Sequence, residues 1–271
     1  MTRKAPARAE SLEDLFDFRR FGVRQEKATL FQPFSTKLRR RLELHTPARY
    51  RLWVRVETDL TIAFFNECVR PCSVPVGKGV AASLRPAMVT RDVESNVTVH
   101  TFSGALDADE ESSEEAVLAR AMGMPQSGSN VPADTLLDIE HVAERAALVS
   151  AGWAQWCEAR ELLHHDWTVA ELREPKLRLD NLDRLLRYTT RPGRPYRGDL
   201  ASKLEAELRL ERCMTVYALA KLFPSQDPEE VMAEIAGLIV SGKVHSNIET
   251  HPFTYATELS AFSTFEAKSR I

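Results

Sequence analysis

Long apolar runs are missing from this sequence. Nothing in it approaches the roughly 20 residues a membrane span requires, and the opening MTRKAPARAESLEDLF lacks the apolar core of a secretory signal. Both absences make a cytoplasmic protein the expectation. Cysteine is scarce as well. Cys68, Cys72, Cys157 and Cys213 are too few for a disulfide framework, and none stands in the paired CxxC spacing of a zinc site, so buried reduced thiols are the favoured reading. Cys68-x3-Cys72 is only a weak metal signal. A large charge of either sign is also absent: the 271 residues carry a net charge of −3, with 44% hydrophobic and 28% charged residues. That is the balance of an ordinary soluble globular protein, long enough for one large or two modest domains, and two are expected.

The small net charge conceals an asymmetry. Residues 1–56 hold 14 Lys and Arg against 6 acids, and Arg39, Arg40, Arg41, Arg49, Arg51 and Arg55 fall within a short span. Such a front suits a phosphate backbone; the competing reading is a solvated face and a disordered tail. Asp107 to Glu115 (DADEESSEE) reads as a solvated acidic run and PQSGSNVPAD from Pro125 as a turn-rich connection, so 105–135 is an insertion without site chemistry.

Taken in order, residues 1–30 form a basic arm, with a capped helix starting at Ser11-Leu12-Glu13-Asp14 and ending before Gly22. Lys37 to Leu44 ends in an alternation that suits a strand. A helix follows Thr46-Pro47, with Tyr50, Trp53, Val54 and Val56 on its apolar face, and Thr61 to Phe65 reads as a buried strand continuing toward Val69 and Val74. Leu84 to Phe102 organises the chain: Met88-Val89-Thr90, a polar turn from Arg91 to Asn96, then Val97 to Phe102, two strands at a sheet centre. A short helix is expected over 114–122, and a clear one over Leu136 to Ser150 that Gly152 ends, after which Trp153 and Trp156 anchor a strand. His164-His165-Asp166 on a loop lacks a third ligand and reads as polar surface.

Residues 189–199, TTRPGRPYRGD, make the best domain boundary. Beyond them come a helix from Leu200 to Arg212, a second from Val216 capped by Thr215, and a third opened by Asp227-Pro228-Glu229-Glu230 and closed before Gly242. A two-stranded wing over Lys243 to Leu259 completes a winged helix. A groove-reading third helix presents basic and amide side chains. This one presents Glu229, Glu230 and Glu234, with Lys243 at its end, which favours protein over DNA as its partner.

The passage Trp53 to Cys68 (WVRVETDLTIAFFNEC), then Ala151-Gly152-Trp153, Arg160-Glu161-Leu162 and Asn181-Leu182 through Arg187-Tyr188 resemble, in order and spacing, the TnsA family. These are the endonuclease subunits of heteromeric, Tn-seven-like transposases. The resemblance spans about residues 30–260. It implies an α/β fold: a restriction-endonuclease-like mixed sheet of PD-(D/E)XK type flanked by helices over 31–190, a linker at 191–199, the winged helix at 200–260 and a tail at 261–271. It implies as partners DNA at transposon ends, a DDE-type transposase subunit and an AAA+ transposition regulator.

Carried over residue by residue, the family's catalytic positions have lost their chemistry. The helix glutamate falls on Arg49, the first-strand aspartate on Ala87, the second-strand acid on His100 and the lysine on Phe102. Mg²⁺ is a hard ion that takes oxygen ligands, which a guanidinium and a methyl group do not supply. The expected protein is therefore a catalytically degenerate TnsA-like subunit acting in DNA binding and transposase assembly, with Arg39, Arg40, Arg41, Arg49, Arg51 and Arg55 on DNA. No cofactor is expected, or Mg²⁺ if an active site survives. Two alternatives remain open: an active metal-dependent endonuclease cutting 5′ strands at transposon ends, with ligands relocated to Asp92, Glu94 or His100, and a protein-binding adaptor without a DNA role.

Overall fold

The described elements, from the N-terminus, begin with helix α1 (Leu12–Leu15), the short hairpin β1 (Phe34–Ser35) and β2 (Arg40–Arg41), helix α2 (Pro47–Thr58) and strand β3 (Ile62–Asn66). A hairpin of β4 (Cys72–Gly77) and β5 (Val80–Leu84) follows, then strands β6 (Met88–Asp92) and β7 (Val97–Phe102), the long helix α3 (Asp134–Glu158) and strand β8 (Leu163–Trp167). Next come helices α4 (Val169–Arg173), α5 (Lys176–Thr189) and α6 (Gly198–Glu211), strand β9 (Cys213–Thr215), helices α7 (Val216–Lys221) and α8 (Pro228–Val240), and strands β10 (Val244–Ser246) and β11 (Glu258–Ala261). These come from a computed structural model that describes residues 12–16, 31–77, 80–102, 134–190 and 198–261. The expectations for residues 1–11, the acidic insertion, the helix over 114–122, the linker core at 191–197 and the tail from 262 lie outside the described residues. None of the described helices is long and apolar enough to cross a membrane.

The chain divides into two units, one of Met1–Phe31, Glu43–Tyr50 and Ala63–Leu172, the other of Gln32–Leu42, Arg51–Ile62 and Arg173–Ile271. The first holds a mixed four-stranded sheet in the order β3-β6-β7-β8. At its centre β6 and β7 pair antiparallel with Met88 opposite His100, so the strand formers of Leu84 to Phe102 do make the expected hairpin. Strand β8 then joins β7 in parallel, Thr98 beside Leu163 and Phe102 beside Trp167.

Sheet alternation sends Val89, Val97 and Val99 to one face, where they bury Trp153, Trp156 and Cys157 of α3 together with Val69, Cys72 and Val74. Three expectations are corrected here. Trp153 and Trp156 belong to a helix, because α3 runs through Gly152 to Glu158. Gly152 is there for close approach: a Cβ would lie 1.9 Å from the Pro75 carbonyl oxygen. His164, His165 and Asp166 form strand β8, not a loop. Val74 lies in the separate β4–β5 hairpin, since β3 stops at Asn66. The four cysteines are free thiols; Cys72 and Cys157 are buried, Cys68 is half-buried and Cys213 is exposed. Burial pushes the Cys72 and Cys157 thiols up to about 12, which keeps them protonated.

In the second unit, α6, β9, α7, α8, β10 and β11 follow one another, and the three strands form an antiparallel sheet in the order β10-β11-β9. The Thr215 hydroxyl accepts from Ala218 N, and the Asp227 carboxylate from Glu229 N, so both helix starts expected from their cap residues are formed. Gly242 leaves α8 at φ 67°, where an L residue would be strained and its Cβ would meet Leu60 at 2.3 Å.

Helix α8 is buried from Val231 through Ala236 and again at Leu238 and Ile239. Glu234 is therefore not presented outward, as the sequence suggested, but buried. The reason is α5, which packs along α8. Asn181 of α5 fixes this arrangement by donating to the carbonyls of Ile248 (2.7 Å) and His251 (2.8 Å) and accepting from Phe253 N (2.7 Å). Because α5 belongs with α8, the second unit takes up the chain from Arg173, upstream of the 189–199 boundary that composition suggested.

Gly152→Ala adds a methyl where the Pro75 carbonyl already stands, and only backbone movement relieves the clash. We expect urea denaturation to show a loss of about 3 kcal/mol, despite the better helix propensity of alanine.

Candidate functional site

Three of the four positions that the family resemblance singles out come together where α2 begins beside the hairpin. The first turn of α2 starts after Thr46, whose hydroxyl accepts from Arg49 N at 3.2 Å. The Arg49 guanidinium donates to the Ala87 carbonyl at 2.9 Å. Ala87 N in turn donates to the His100 carbonyl at 2.8 Å, which ties the residue just before β6 to β7, one step from the Met88–His100 pair. Phe102 lies two residues on, on the same face of β7, buried and beside Trp167.

The His100 ring is held at both nitrogens. Trp167 Nε1 donates to His100 Nδ1 at 3.0 Å, and because indole is a donor only, Nδ1 carries no proton. The ring proton sits on Nε2, which donates to Thr90 Oγ1 at 2.9 Å. Burial foremost, and the neighbouring His165 and His164 after it, drive the imidazole's pKa down to about 3. The side chain is a neutral imidazole with both lone-pair and N–H positions in use. These residues do not fit a divalent cation: Arg49 brings positive charge, Ala87 and Phe102 bring no ligand, and His100 has no free lone pair.

The candidates for relocated ligands are occupied elsewhere. Asp92 ends β6 five residues beyond Ala87, about 16 Å along the strand. Its carboxylate accepts from Glu94 N (2.9 Å), Asn96 N (2.8 Å) and Asn96 Nδ2 (2.8 Å) and so closes the β6–β7 turn. Those bonds, that from the Asn96 side chain foremost, hold its pKa below the usual carboxylate value. Glu94 is exposed on the same turn. Strand alternation sends His164 and His165 to opposite faces of the sheet. His165 stacks on Trp167 with ring centres 4.0 Å apart. On the other face Thr101 Oγ1 donates to Asp166 at 2.7 Å and accepts from His164 Nε2 at 2.9 Å. Burial lowers the His164 pKa against the pull of Asp166. Among the described residues no group of three or more His, Cys, Asp or Glu is arranged to hold a metal ion.

The arginines expected on DNA have varied surroundings. Arg39 and Arg41 are exposed on the β1–β2 hairpin, and Arg40 is half-buried with its guanidinium 3.4 Å from the Arg41 carbonyl. Arg51 is half-buried on α2. Arg55, one turn on, donates to the Glu174 carbonyl and so supports the chain entering α5. Sequence reasoning missed what holds the hairpin. The buried Glu57 carboxylate accepts from Ser35 Oγ (2.7 Å), Thr36 N (2.7 Å), Thr36 Oγ1 (2.6 Å), Lys37 N (3.1 Å) and Trp53 Nε1 (3.2 Å). The signal available in the sequence was an acid among the apolar positions of α2, one turn after a tryptophan.

Comparison of the chain with protein-family models gives no match, and comparison with curated proteins gives none either.

His100 makes a pH-dependent contribution to stability. With the folded value near 3 and the unfolded value near 6.5, the unfolded chain binds a proton that the folded one refuses. Stability is unaffected above about pH 6.5 and falls as pH drops toward 3. Between pH 7 and pH 5 the wild type should lose about 2 kcal/mol more than His100→Gln, measured by urea denaturation at each pH.

Proposed function

We propose that this protein is a catalytically degenerate, TnsA-like subunit of a DNA transposition complex, acting in DNA binding and transposase assembly. The observation that carries the reading is the convergence of Arg49, Ala87 and His100 on the β6–β7 hairpin. Positions that the resemblance picks out 51 residues apart meet within hydrogen-bonding distance, as an active site's positions would. A central antiparallel hairpin in a mixed sheet, with α2 before it and α3 leading to a parallel β8, supports a restriction-endonuclease-like core. In the C-terminal unit, the order α6-β9-α7-α8-β10-β11 with sheet order β10-β11-β9 supports the winged helix.

On this reading the intact family cuts 5′ strands while a DDE-type subunit joins 3′ ends, and this chain keeps the scaffold without the cut. Arg49 places a fixed cation where metal ligands would stand. The third helix of the winged helix has its central turns buried against α5, so it enters no DNA groove, and this favours a protein partner for that unit. That partner would be the transposase subunit or an AAA+ regulator. The relocated-ligand nuclease is less favoured because Asp92 closes a turn and lies five residues along the strand from Ala87.

The test is nicking of transposon-end DNA by the purified chain with its transposase subunit, in Mg²⁺ and in Mn²⁺, alongside DNA binding at two salt concentrations. Salt-sensitive binding without nicking is expected. Nicking lost on Asp92→Asn or Glu94→Gln would establish a rebuilt metal site instead, and an absence of binding would leave the adaptor.

A further inference from the structure

The β1–β2 hairpin carries an inference that rests on the DNA-binding reading and goes further into it. Its turn bends through Arg39 at φ 53°, a left-handed conformation that costs a residue with a side chain about 1 kcal/mol or more. Something must hold it there. The Glu57 carboxylate gathers the Ser35 hydroxyl, the Thr36 hydroxyl and the successive backbone N–H groups of Thr36 and Lys37. The Ser35 hydroxyl itself accepts from Leu38 N at 3.0 Å.

Lys37 completes the anchor from the other side. Its ammonium donates to the carbonyls of Val56 (2.8 Å), which the end of α2 leaves without a helical partner, of Ile62 (2.7 Å) at the start of β3, and of Asp59, which also accepts from Ile62 N. Its charge is thereby engaged inside the fold, where burial lowers its pKa against the pull of Glu57 and Asp59. Arg39 and Arg41 stand apart from this network. Both are exposed, and neither forms an ion pair with a described residue. Their Cα atoms are within about 7 Å of each other, since only Arg40 stands between them in the chain.

We propose that the Phe34–Arg41 hairpin is a preorganised finger that grips the phosphate backbone of duplex DNA through Arg39 and Arg41, with Glu57 as the positioning residue that holds it in shape. Guanidinium groups suit phosphate oxygens because their donors form a planar fork that binds two oxygens at once. Such contacts set register and orientation without reading sequence. A turn already fixed by Glu57 and Lys37 loses little conformational freedom on binding, so most of the contact energy appears as affinity.

The experiment measures binding of the full chain to a labelled random-sequence duplex across a salt series. Removing two phosphate contacts with Arg39→Ala/Arg41→Ala should lower the magnitude of the log K against log salt slope by about 1.8, a loss of about 12-fold in the salt response between 50 and 200 mM. Glu57→Gln should lower the slope by the same amount, and combining it with the arginine pair should bring no further loss. A merely structural defect would instead add to the arginine effect. Thr36→Val, which removes one donor from Glu57, provides the same comparison should Glu57→Gln not fold: its smaller loss should vanish in the arginine-deficient background. A wild-type slope in Arg39→Ala/Arg41→Ala overturns the finger while leaving DNA binding elsewhere on the chain intact. Additive losses overturn the positioning role of Glu57. An absence of salt-dependent binding in the wild type overturns this proposal and the DNA-binding reading together.

Discussion

One buried carboxylate sets the local geometry from which the second unit begins. An ionised carboxylate taken out of water is among the most costly groups a fold can bury, and it is tolerated only when donors replace its hydration. Glu57 receives five such donors, two from backbone N–H groups. They arrive from residues 35 to 37 and from Trp53, so satisfying one charge fixes the path of the β1–β2 turn against α2. Lys37 adds the opposite charge, donating to the Val56 carbonyl that the end of α2 leaves without a helical partner and to the Ile62 carbonyl at the start of β3.

The same economy governs the C-terminal unit, where a polar side chain again fixes an apolar contact. Helix α8 is apolar around most of its circumference, and a helix of that kind is stable only when covered on all sides. Helix α5 supplies the cover, and Asn181 makes the arrangement specific by bonding three backbone groups at Ile248, His251 and Phe253. A slip of α5 along α8 would leave those groups and the amide unsatisfied, each at a cost of about 1–3 kcal/mol. The apolar surface supplies the attraction and the amide selects the register.

What the sequence made legible was whatever depends on neighbours in the chain. The β6–β7 hairpin follows from strand formers on either side of a polar turn, and the starts of α7 and α8 follow from Thr215 and Asp227 one residue ahead of each helix. What it hid depends on distant residues. Gly152 has the local signature of a helix end, yet α3 continues because the glycine answers to Pro75, 77 residues away. Strand β8 lacks an alternating pattern because it lies at one end of the sheet with side chains of mixed character on both faces, and its pairing with β7 is set by the crossover through α3. Glu57 looked like a step in a family motif because its donors lie 20 to 22 residues upstream. The convergence of Arg49, Ala87 and His100 was legible only through the resemblance, since no local pattern links a helix arginine to a strand alanine.

The residues at that convergence satisfy one another. Carboxylates brought together to bind a cation repel one another until the cation arrives, and that repulsion is carried by the fold. Here a guanidinium is bonded to a carbonyl and a neutral imidazole is saturated between Thr90 and Trp167, so the group is satisfied without a ligand. Introducing one acid would not make a metal site. His100 would still have no lone pair to offer. On the proposed reading the lost cut is therefore locked in by packing, and the positive charge that replaced it is compatible with continued residence on a phosphate backbone.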